Sequence, residues 1–481
     1  MISQETKDIK LLLNPKSVAV FGVSRQPGFA WGRSIFDMVI QGGFEGSVYP
    51  INPQAEDIDG RKAFPSISAI PGEVDLAVIA LPAEMVPRTV EECGKKGVKG
   101  AILITAGFAE THEGKGLQTE ITDIARRYGV RIVGPNVSGI VNLSGNLNIT
   151  AGATRLKDTP ISVVCQGGFA VGNLIISGYS KGMGVGKYLH TGNECDLTST
   201  DFLEYLGHDP ATKVILMYIE GVRDGRKFFE VAKRVSQKKP VIIIKLGATA
   251  AGSRAVSSHT GAMAGSEAIW DGVFNQANIV RATRMEILLE LGVAFLELPP
   301  LWGNRIAIVT MGGTWGVAIT DALVKSGLSV PELSPEMQKR LQDIGMPYWA
   351  SARNPVDVGA AGRAVNWTDQ LKILETLLSS EEIDGVIVHG MGWPGFREDG
   401  APNGMVTPGT EDEKLLRGAY DLIPKYKKPL IVCNYYTEHD SETIQNLVRD
   451  GKRVYSDVED AATILSSLYT YYSRLSDRVS E

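Results

Sequence analysis

The sequence predicts an α/β protein of doubly wound, mostly parallel sheets in three domains, and three observations carry that prediction. Short runs rich in β-branched residues recur along the chain, and they are apolar throughout rather than alternating, as strands covered on both faces are. Amphipathic stretches of helix length separate them, which is the order that builds parallel sheets. The composition agrees: 43% hydrophobic residues and 53 glycines among 481 describe a globular chain with many tight turns.

The first domain is placed at residues 1–145. Its leading strand, Ser17–Phe21, runs into Gly22-Val-Ser24-Arg25-Gln26-Pro-Gly28, with a helix from about Gly32. That is the phosphate-cradling position of a Rossmann-like unit, where glycines let the backbone approach a ligand and Arg25 offers a two-pronged phosphate donor. The G-x-G-x-x-G spacing is absent. The second strand, Ser47–Ile51, ends on Asn52-Pro53, where an NAD site wants an acid for the ribose hydroxyls. NAD is therefore disfavoured, whereas a nucleotide with more phosphate, such as coenzyme A, is not. Strands at Asp75–Leu81, Ala101–Thr105 and Arg131–Val133 follow. They end in small or polar loops, among them Thr105-Ala106-Gly107 and Gly134-Pro-Asn136, which should gather at the same carboxyl edge.

The polar, Gly/Asn/Thr-rich run Asn142–Pro160 reads as the break to a second domain, 150–297, with strands at Ile161–Cys165, Val214–Ile219 and Val241–Leu246. Leu298-Pro-Pro-Leu-Trp-Gly303 reads as a linker to a third, 303–475, with strands at Arg305–Met311, Gly385–His389 and Pro429–Cys433. The three read as distant copies of one architecture without a fixed-period repeat.

Charge and cysteines exclude several classes. Lys+Arg number 49 against Asp+Glu 55, a net charge of −6 with no basic block, so no nucleic-acid partner is expected. Cys93, Cys165, Cys195 and Cys433 lie far apart without C-x-x-C pairing, which points to neither disulfides nor a metal site. No apolar run is long enough to span a bilayer and the N-terminus has no signal-peptide core, so no membrane partner and a cytoplasmic location are expected.

The chemistry gathers in the second domain. Ser257-Ser-His259-Thr260-Gly261 sets a histidine among small residues just before a stretch of helical spacing, Ala264–Ala277. A helix N-terminus favours an anion, and a histidine beside it suits a covalent phosphohistidine; a polar loop histidine with no task is the competing reading. Cys165-Gln166-Gly167-Gly168 follows a strand and begins a second helix-like run, Phe169–Ser177, so two helix starts would flank one phosphoryl group. Glu220 follows the next strand, where a carboxylate on the far ring nitrogen would fix the tautomer of His259 and strengthen it as a nucleophile. An exposed loop acid is the alternative for Glu220.

Together these runs resemble the alpha subunit of NDP-forming acyl-CoA synthetases, best known from the ADP-forming acetyl-CoA synthetases, with succinyl-CoA synthetase a more distant relative. The resemblance covers essentially the whole chain. It rests on Gly22–Gly28, Tyr49-Pro-Ile-Asn-Pro53, Ile104-Thr-Ala-Gly-Phe108, Gly134-Pro-Asn136, Tyr218-Ile-Glu-Gly221, Ser258-His-Thr-Gly261 and Asn354-Pro-Val-Asp-Val358. It implies a Rossmann-like CoA-binding domain followed by two flavodoxin-like domains. It also implies a relay in which acid, CoA and ATP interconvert with acyl-CoA, ADP and phosphate through an acyl phosphate and a phosphohistidine. His259 would carry the phosphoryl group and Glu220 would orient it. Gln166, Gly167, Gly168, Thr260 and Gly261 would bind phosphate. Gly22, Ser24, Arg25, Gln26, Asn52, Pro53, Thr105, Ala106, Gly107 and Asn136 would hold CoA. No ATP-grasp module is recognisable, so the resemblance implies a beta subunit that brings the nucleotide and Mg, in a heterotetramer.

Two departures stand out. Cys165-Gln-Gly167-Gly replaces a usual Ser-Gln-Ser-Gly and loses a hydroxyl, and Thr310-Met-Gly-Gly-Thr-Trp-Gly316 replaces Thr-Asn-Ala-Gly-Gly-Pro-Gly, setting an indole beside a turn. The first keeps open a nonenzymatic CoA-binding or regulatory protein with a degenerate relay. The acyl substrate is not fixed by the sequence.

Overall fold

The computed structural model describes residues 3–26, 28, 30–247, 251–252, 267–361, 364–393 and 409–479. The chain divides into two compact units, Met1–Leu296 and Glu297–Glu481.

The first unit opens with α1 (Gln4–Leu13) and holds two sheets. The strands of the first are β1 (Ser17–Phe21), β2 (Ser47–Ile51), β5 (Leu76–Ile79), β6 (Gly100–Leu103) and β7 (Arg131–Val133); β3 (Asp57–Ile58) and β4 (Arg61–Lys62) form a separate small hairpin. The strand order is β2-β1-β5-β6-β7, all parallel. Helices α2 (Trp31–Gln41), α3 (Val86–Lys96) and α4 (Lys115–Tyr128) connect them. β1, β5 and β6 are buried at every position, which explains why they read as unbroken apolar runs.

The second sheet comprises β8 (Gly139–Asn142), β9 (Leu147–Thr150), β10 (Ile161–Cys165), β11 (Lys187–His190), β12 (Val214–Ile219), β13 (Val241–Lys245) and β14 (Val280–Arg281). Its order is β14-β13-β12-β10-β11-β8-β9, with β8 and β9 antiparallel to their neighbours. Helices α5 (Gly168–Ser180), α6 (Ser199–His208), α7 (Gly225–Ser236), α8 (Glu267–Ala277) and α9 (Met285–Glu297) complete it.

The polar run read as a break between domains is therefore partly strand. Leu147 and Ile149 are fully buried, and Thr150 donates its hydroxyl to the Asn148 side-chain oxygen at 2.7 Å, so the polar residues of this strand are satisfied locally. A polar strand of this kind carries no apolar signature. One continuous core runs from Val18 and Val20 through Ile140 and Ile149 to Val164 and Met217, tying both sheets together. At the same junction Arg131 clasps Asp196 at 2.9 Å and Asp8 at 2.6 Å.

The second unit carries β15 (Ile306–Thr310), β16 (Val356–Asp357), β17 (Gly385–His389), β18 (Leu430–Cys433) and β19 (Val454–Tyr455), in the order β16-β15-β17-β18-β19. Its first helix is α10 (Gly313–Lys325). Asn354 ties β15 down, accepting from the Ile308 N–H at 2.9 Å and donating to the Ile306 and Pro331 carbonyls at 3.0 Å. In each sheet the parallel strands, taken in chain order, run 2-1-3-4-5. A ligand of such a sheet belongs at the carboxyl ends of its first and third strands, where the winding reverses.

At that point of the third sheet His389 is 1% exposed, and among the described residues neither ring nitrogen has a hydrogen-bond partner. Trp315 lies against its ring at 4.7 Å and stacks on Tyr435. Burial lowers the His389 pKa from 6.5 to about 4. Between those values the unfolded chain binds a proton that the folded chain does not, so stability is full above pH 6.5 and lost as pH falls toward 4. His389→Phe should remove that loss, which amounts to about 3 kcal/mol. Urea midpoints at about pH 7 and about pH 4.5 check it: the variant should lose less stability on acidification than the parent.

Among the described residues no helix is long and apolar enough to cross a membrane.

Candidate active site

The first sheet opens a cleft of about 660 Å³ at the ends of β1, β2 and β5, lined by Gly22, Ser24, Asn52, Pro53, Gln54 and Arg88 among others. Gly22 has φ +80°, and a Cβ there would lie 2.2 Å from the Ala80 carbonyl oxygen, so only glycine fits. Gly32, in the first turn of α2, lets that helix press on the loop: its Cβ would lie 2.5 Å from the Gly22 carbonyl oxygen. Asn52 donates to the Val23 carbonyl at 2.8 Å and accepts from the Gln54 N–H at 2.8 Å, tying the two loops together. Buried Arg33 supports the same loop from beneath, donating to the Ser24 and Arg25 carbonyls at 3.3 and 3.4 Å. Among the described residues no side chain caps the start of α2.

Gly22→Ala should cost about 1–3 kcal/mol in stability from strain and clash. It should also weaken binding of the CoA that the resemblance assigns to this cleft, measured by titration calorimetry, by at least about tenfold, because the loop that shapes the cleft must move.

Of the remaining residues expected to bind CoA, Arg25 and Gln26 are exposed and lie outside the cleft's lining. Thr105 donates its hydroxyl to the Leu81 carbonyl at 2.6 Å, and the Asn136 N–H donates to the Thr105 carbonyl at 2.9 Å. Gly107, at φ +103°, gives its N–H to the Glu110 carboxylate at 2.5 Å. Glu110 also accepts from the Asn193 amide. These loops therefore meet the second sheet, through a residue that carried no sequence signal. Gln54 and Arg88 in the cleft were likewise invisible beforehand, because neither belongs to a glycine loop.

At the corresponding point of the second sheet, Gln166 follows β10 and Glu220 follows β12, on neighbouring strands paired Cys165 to Tyr218. The Gln166 side chain is a hub. Its carbonyl oxygen accepts from the Glu220 and Gly221 N–H groups at 2.5 and 3.2 Å, and its amide donates to Glu194 at 3.0 Å and the Gly221 carbonyl at 2.8 Å. Glu220 is 2% exposed, not a solvated loop acid, and accepts from the Tyr218 hydroxyl at 2.8 Å. Glu194, equally buried, also takes the Thr191 hydroxyl at 2.8 Å and the Ser199 N–H at the head of α6 at 2.9 Å. Burial raises the Glu194 pKa, with the donors opposing it.

His190 sits behind this hub. The Ser138 N–H can only donate, so Nδ1 accepts it at 2.7 Å and Nε2–H donates to the Gln166 backbone carbonyl at 2.9 Å. A Cβ at Gly168 would strike that ring at 2.5 Å. At Gly167 it would meet the Tyr218 ring at 2.8 Å, so the tyrosine occupies the side of the loop where a serine side chain would project. Among the described residues no side chain caps the start of α5 at Gly168. Lys245, ending β13, is 5% exposed and lies 5.4 Å from the Trp270 ring centroid; burial lowers its pKa and the Glu220 charge opposes that.

His259, Thr260 and Gly261 lie outside the described residues, on the connection from β13 to α8. What is assembled is the rest: an uncapped helix start, a buried carboxylate and a lysine at one sheet edge, an arrangement suited to an anion and to a polarised base.

Residues 16–142 match the CoA binding domain family and residues 158–295 match the succinyl-CoA ligase like flavodoxin domain. The chain is 37% identical over 461 residues to the acetate–CoA ligase (ADP-forming) II subunit alpha of Pyrococcus furiosus, covering 95% of this chain and 96% of that one. It is 37% identical over 354 residues to the acetate–CoA ligase (ADP-forming) of Methanocaldococcus jannaschii, 73% of this chain but 49% of the relative. The structure of the dinucleotide forming acetyl-coenzyme A synthetase 1 of Ca. Korarchaeum cryptofilum, in complex with phosphate and ADP, superposes with a TM-score of 0.86 at 32% identity, covering 98% of each chain.

Proposed function

Since the chain belongs to the family of ADP-forming acyl-CoA synthetase alpha subunits, we propose that it interconverts acyl-CoA, phosphate and ADP with acid, CoA and ATP through a phosphohistidine at His259. Phosphate displaces CoA from the thioester to give an acyl phosphate and the free thiol. An imidazole nitrogen of His259 then takes the phosphoryl group, releasing the carboxylate. ADP finally takes it from the imidazole as ATP. Each step moves one phosphoryl or acyl group and needs no redox partner.

The single observation behind this reading is that buried Glu220 and the uncapped head of α5 are bound together by one side chain, Gln166, at the reversal point of the sheet. A decayed relay has no need of a buried carboxylate held by a tyrosine hydroxyl at this point. Glu220 is assigned to orient His259, with Lys245 supplying positive charge beside it. The Gly167–Gly168 turn presents N–H groups to phosphate, joined by Thr260 and Gly261, while Gln166, its own N–H groups spent on Tyr218, Glu194 and Gly221, holds that turn in place. CoA is assigned to the cleft of Gly22, Ser24, Asn52 and Pro53, with Arg25 and Gln26 closing on its phosphates and Thr105–Gly107 and Asn136 directing the thiol end toward the second sheet.

The nucleotide, with Mg, is assigned to an ATP-grasp beta subunit in a cytoplasmic heterotetramer. In support, this chain spans nearly all of the alpha-subunit relative but about half, 49%, of the longer M. jannaschii ligase. The test is to incubate the chain with an acyl-CoA and radiolabelled phosphate and no nucleotide. Acid-labile, base-stable label on the protein supports the relay. No label with any acyl-CoA, alone or with an ATP-grasp partner, rejects it.

A further inference from the structure

One short turn, Thr191 to Glu194, follows β11 and joins the loops assigned to the two substrates. Its backbone is fixed from both sides. The Thr191 N–H donates to the Cys165 carbonyl at 2.8 Å, just before Gln166, and the Asn193 and Cys195 N–H groups donate to the Pro135 and Gly134 carbonyls at 2.9 Å. A Cβ on Gly192, at φ +55°, would lie 2.3 Å from the Pro135 carbonyl oxygen, so the turn is pressed against the first-sheet loop. Arg223, just beyond Glu220, adds a third hold by donating to the Asn193 carbonyl at 3.0 Å.

The two adjacent side chains of the turn serve different loops. Asn193 donates to Glu110, whose carboxylate also holds the Gly107 N–H at 2.5 Å. Glu194 accepts from the Gln166 amide at 3.0 Å. It does so at φ +55°, a conformation that glycine takes freely and glutamate does not. Strain of this kind persists only where the surroundings fix it, and here it keeps a buried carboxylate where glycine would fit more easily. Neither side chain lines the cleft of the first sheet.

We infer that Asn193 and Glu194 are positioning residues, which set the separation between the thiol-end loop and the phosphate loop so that a phosphate oxygen meets the thioester carbonyl. The inference rests on the two sites proposed above. Attack needs the reacting atoms about 3–3.5 Å apart, and an error near 1 Å costs about 10²-fold in rate. A turn clamped to both loops by backbone and side chains holds that separation before the substrates arrive.

The experiment gives the full chain arsenate in place of phosphate, with acetyl-CoA or phenylacetyl-CoA, whichever the parent uses faster. An arsenate oxygen attacks the thioester carbonyl, the CoA thiolate leaves and takes up a proton, and water hydrolyses the acyl arsenate to acid and arsenate. Thiol release thus reports the first step without the phosphohistidine. Asn193→Ala and Glu194→Gly should each lower kcat about 10²-fold, with KM for the acyl-CoA and the calorimetric affinity for CoA within about threefold of the parent. The double variant should be no slower than the slower single, because either cut already frees the spacing. Multiplied losses, or a raised KM with kcat kept, overturn the inference.

A rescue pair separates positioning from folding. Asn193→Asp sets one carboxylate against another and should lose at least as much kcat as Asn193→Ala. Adding Glu110→Gln should recover at least about tenfold, since its carbonyl can still accept from Gly107 while its amide donates to the introduced carboxylate. Recovery of the melting temperature without kcat makes these residues structural only and overturns the inference. A parent that binds CoA but releases no thiol rejects the proposed reaction and this inference together. A working parent with unaffected variants rejects the inference alone.

Discussion

His259→Asn is expected to eliminate phosphate labelling of the protein and to lower synthetase turnover by about 10⁴-fold or more, the scale of losing a covalent nucleophile. Asparagine keeps a polar side chain but cannot carry a phosphoryl group through the cycle. Binding of CoA in the cleft of the first sheet should be unchanged, since that site is built from β1, β2 and β5. The measurements are the rate of acid-labile label formation and the calorimetric affinity for CoA. Label that persists in His259→Asn would move the phosphoryl carrier to another residue.

Glu220→Gln is expected to have the next largest effect, a fall of about 10²-fold or more in the rate of label formation, with little change in KM for the acyl-CoA. The side chain keeps its size and can still accept from the Tyr218 hydroxyl, so the hub around Gln166 should survive. What it loses is the negative charge that would orient an imidazolium and stabilise it. The pH profile separates this role from a structural one. If Glu220 partners His259, the apparent pKa governing label formation should shift downward in the variant, because an imidazolium without its carboxylate is less favoured. A lower rate at an unchanged pKa, with a lower melting temperature, would make Glu220 a structural residue only.

Much of the fold was legible because parallel strands buried on both faces are written as continuous apolar runs. Val18 to Phe21, Ile161 to Cys165 and Val214 to Ile219 needed no tertiary knowledge to be read as strands. The glycine loops after β1 and β10 were equally plain, since a backbone that must turn within ångströms of its neighbour admits no Cβ. The failures share one cause. β9 hides its strand character behind Asn148 and Thr150, whose polar groups are satisfied by each other and by the chain a few residues on. The buried partners Glu194 and His190, and the lysine at the end of β13, belong to no motif because their roles are set by strands far away in sequence.

The sequence by itself therefore determined the three-sheet plan, the glycine loops at the sheet edges, the family likeness, and His259 and Glu220 as the pair to examine. Only the tertiary structure decided that β8 and β9 belong to the second sheet, that Glu220 is buried rather than solvated, and that Gln166 binds it to the head of α5. It also decided that one turn, through Asn193 and Glu194, joins the loops of the first sheet to those of the second. The division is physical. Periodicity and backbone conformation act between near neighbours and leave their mark in the local sequence. Strand pairing, burial and hydrogen-bond satisfaction join residues such as Gln166 and Glu220 across many intervening positions, and those exist only once the chain has closed on itself.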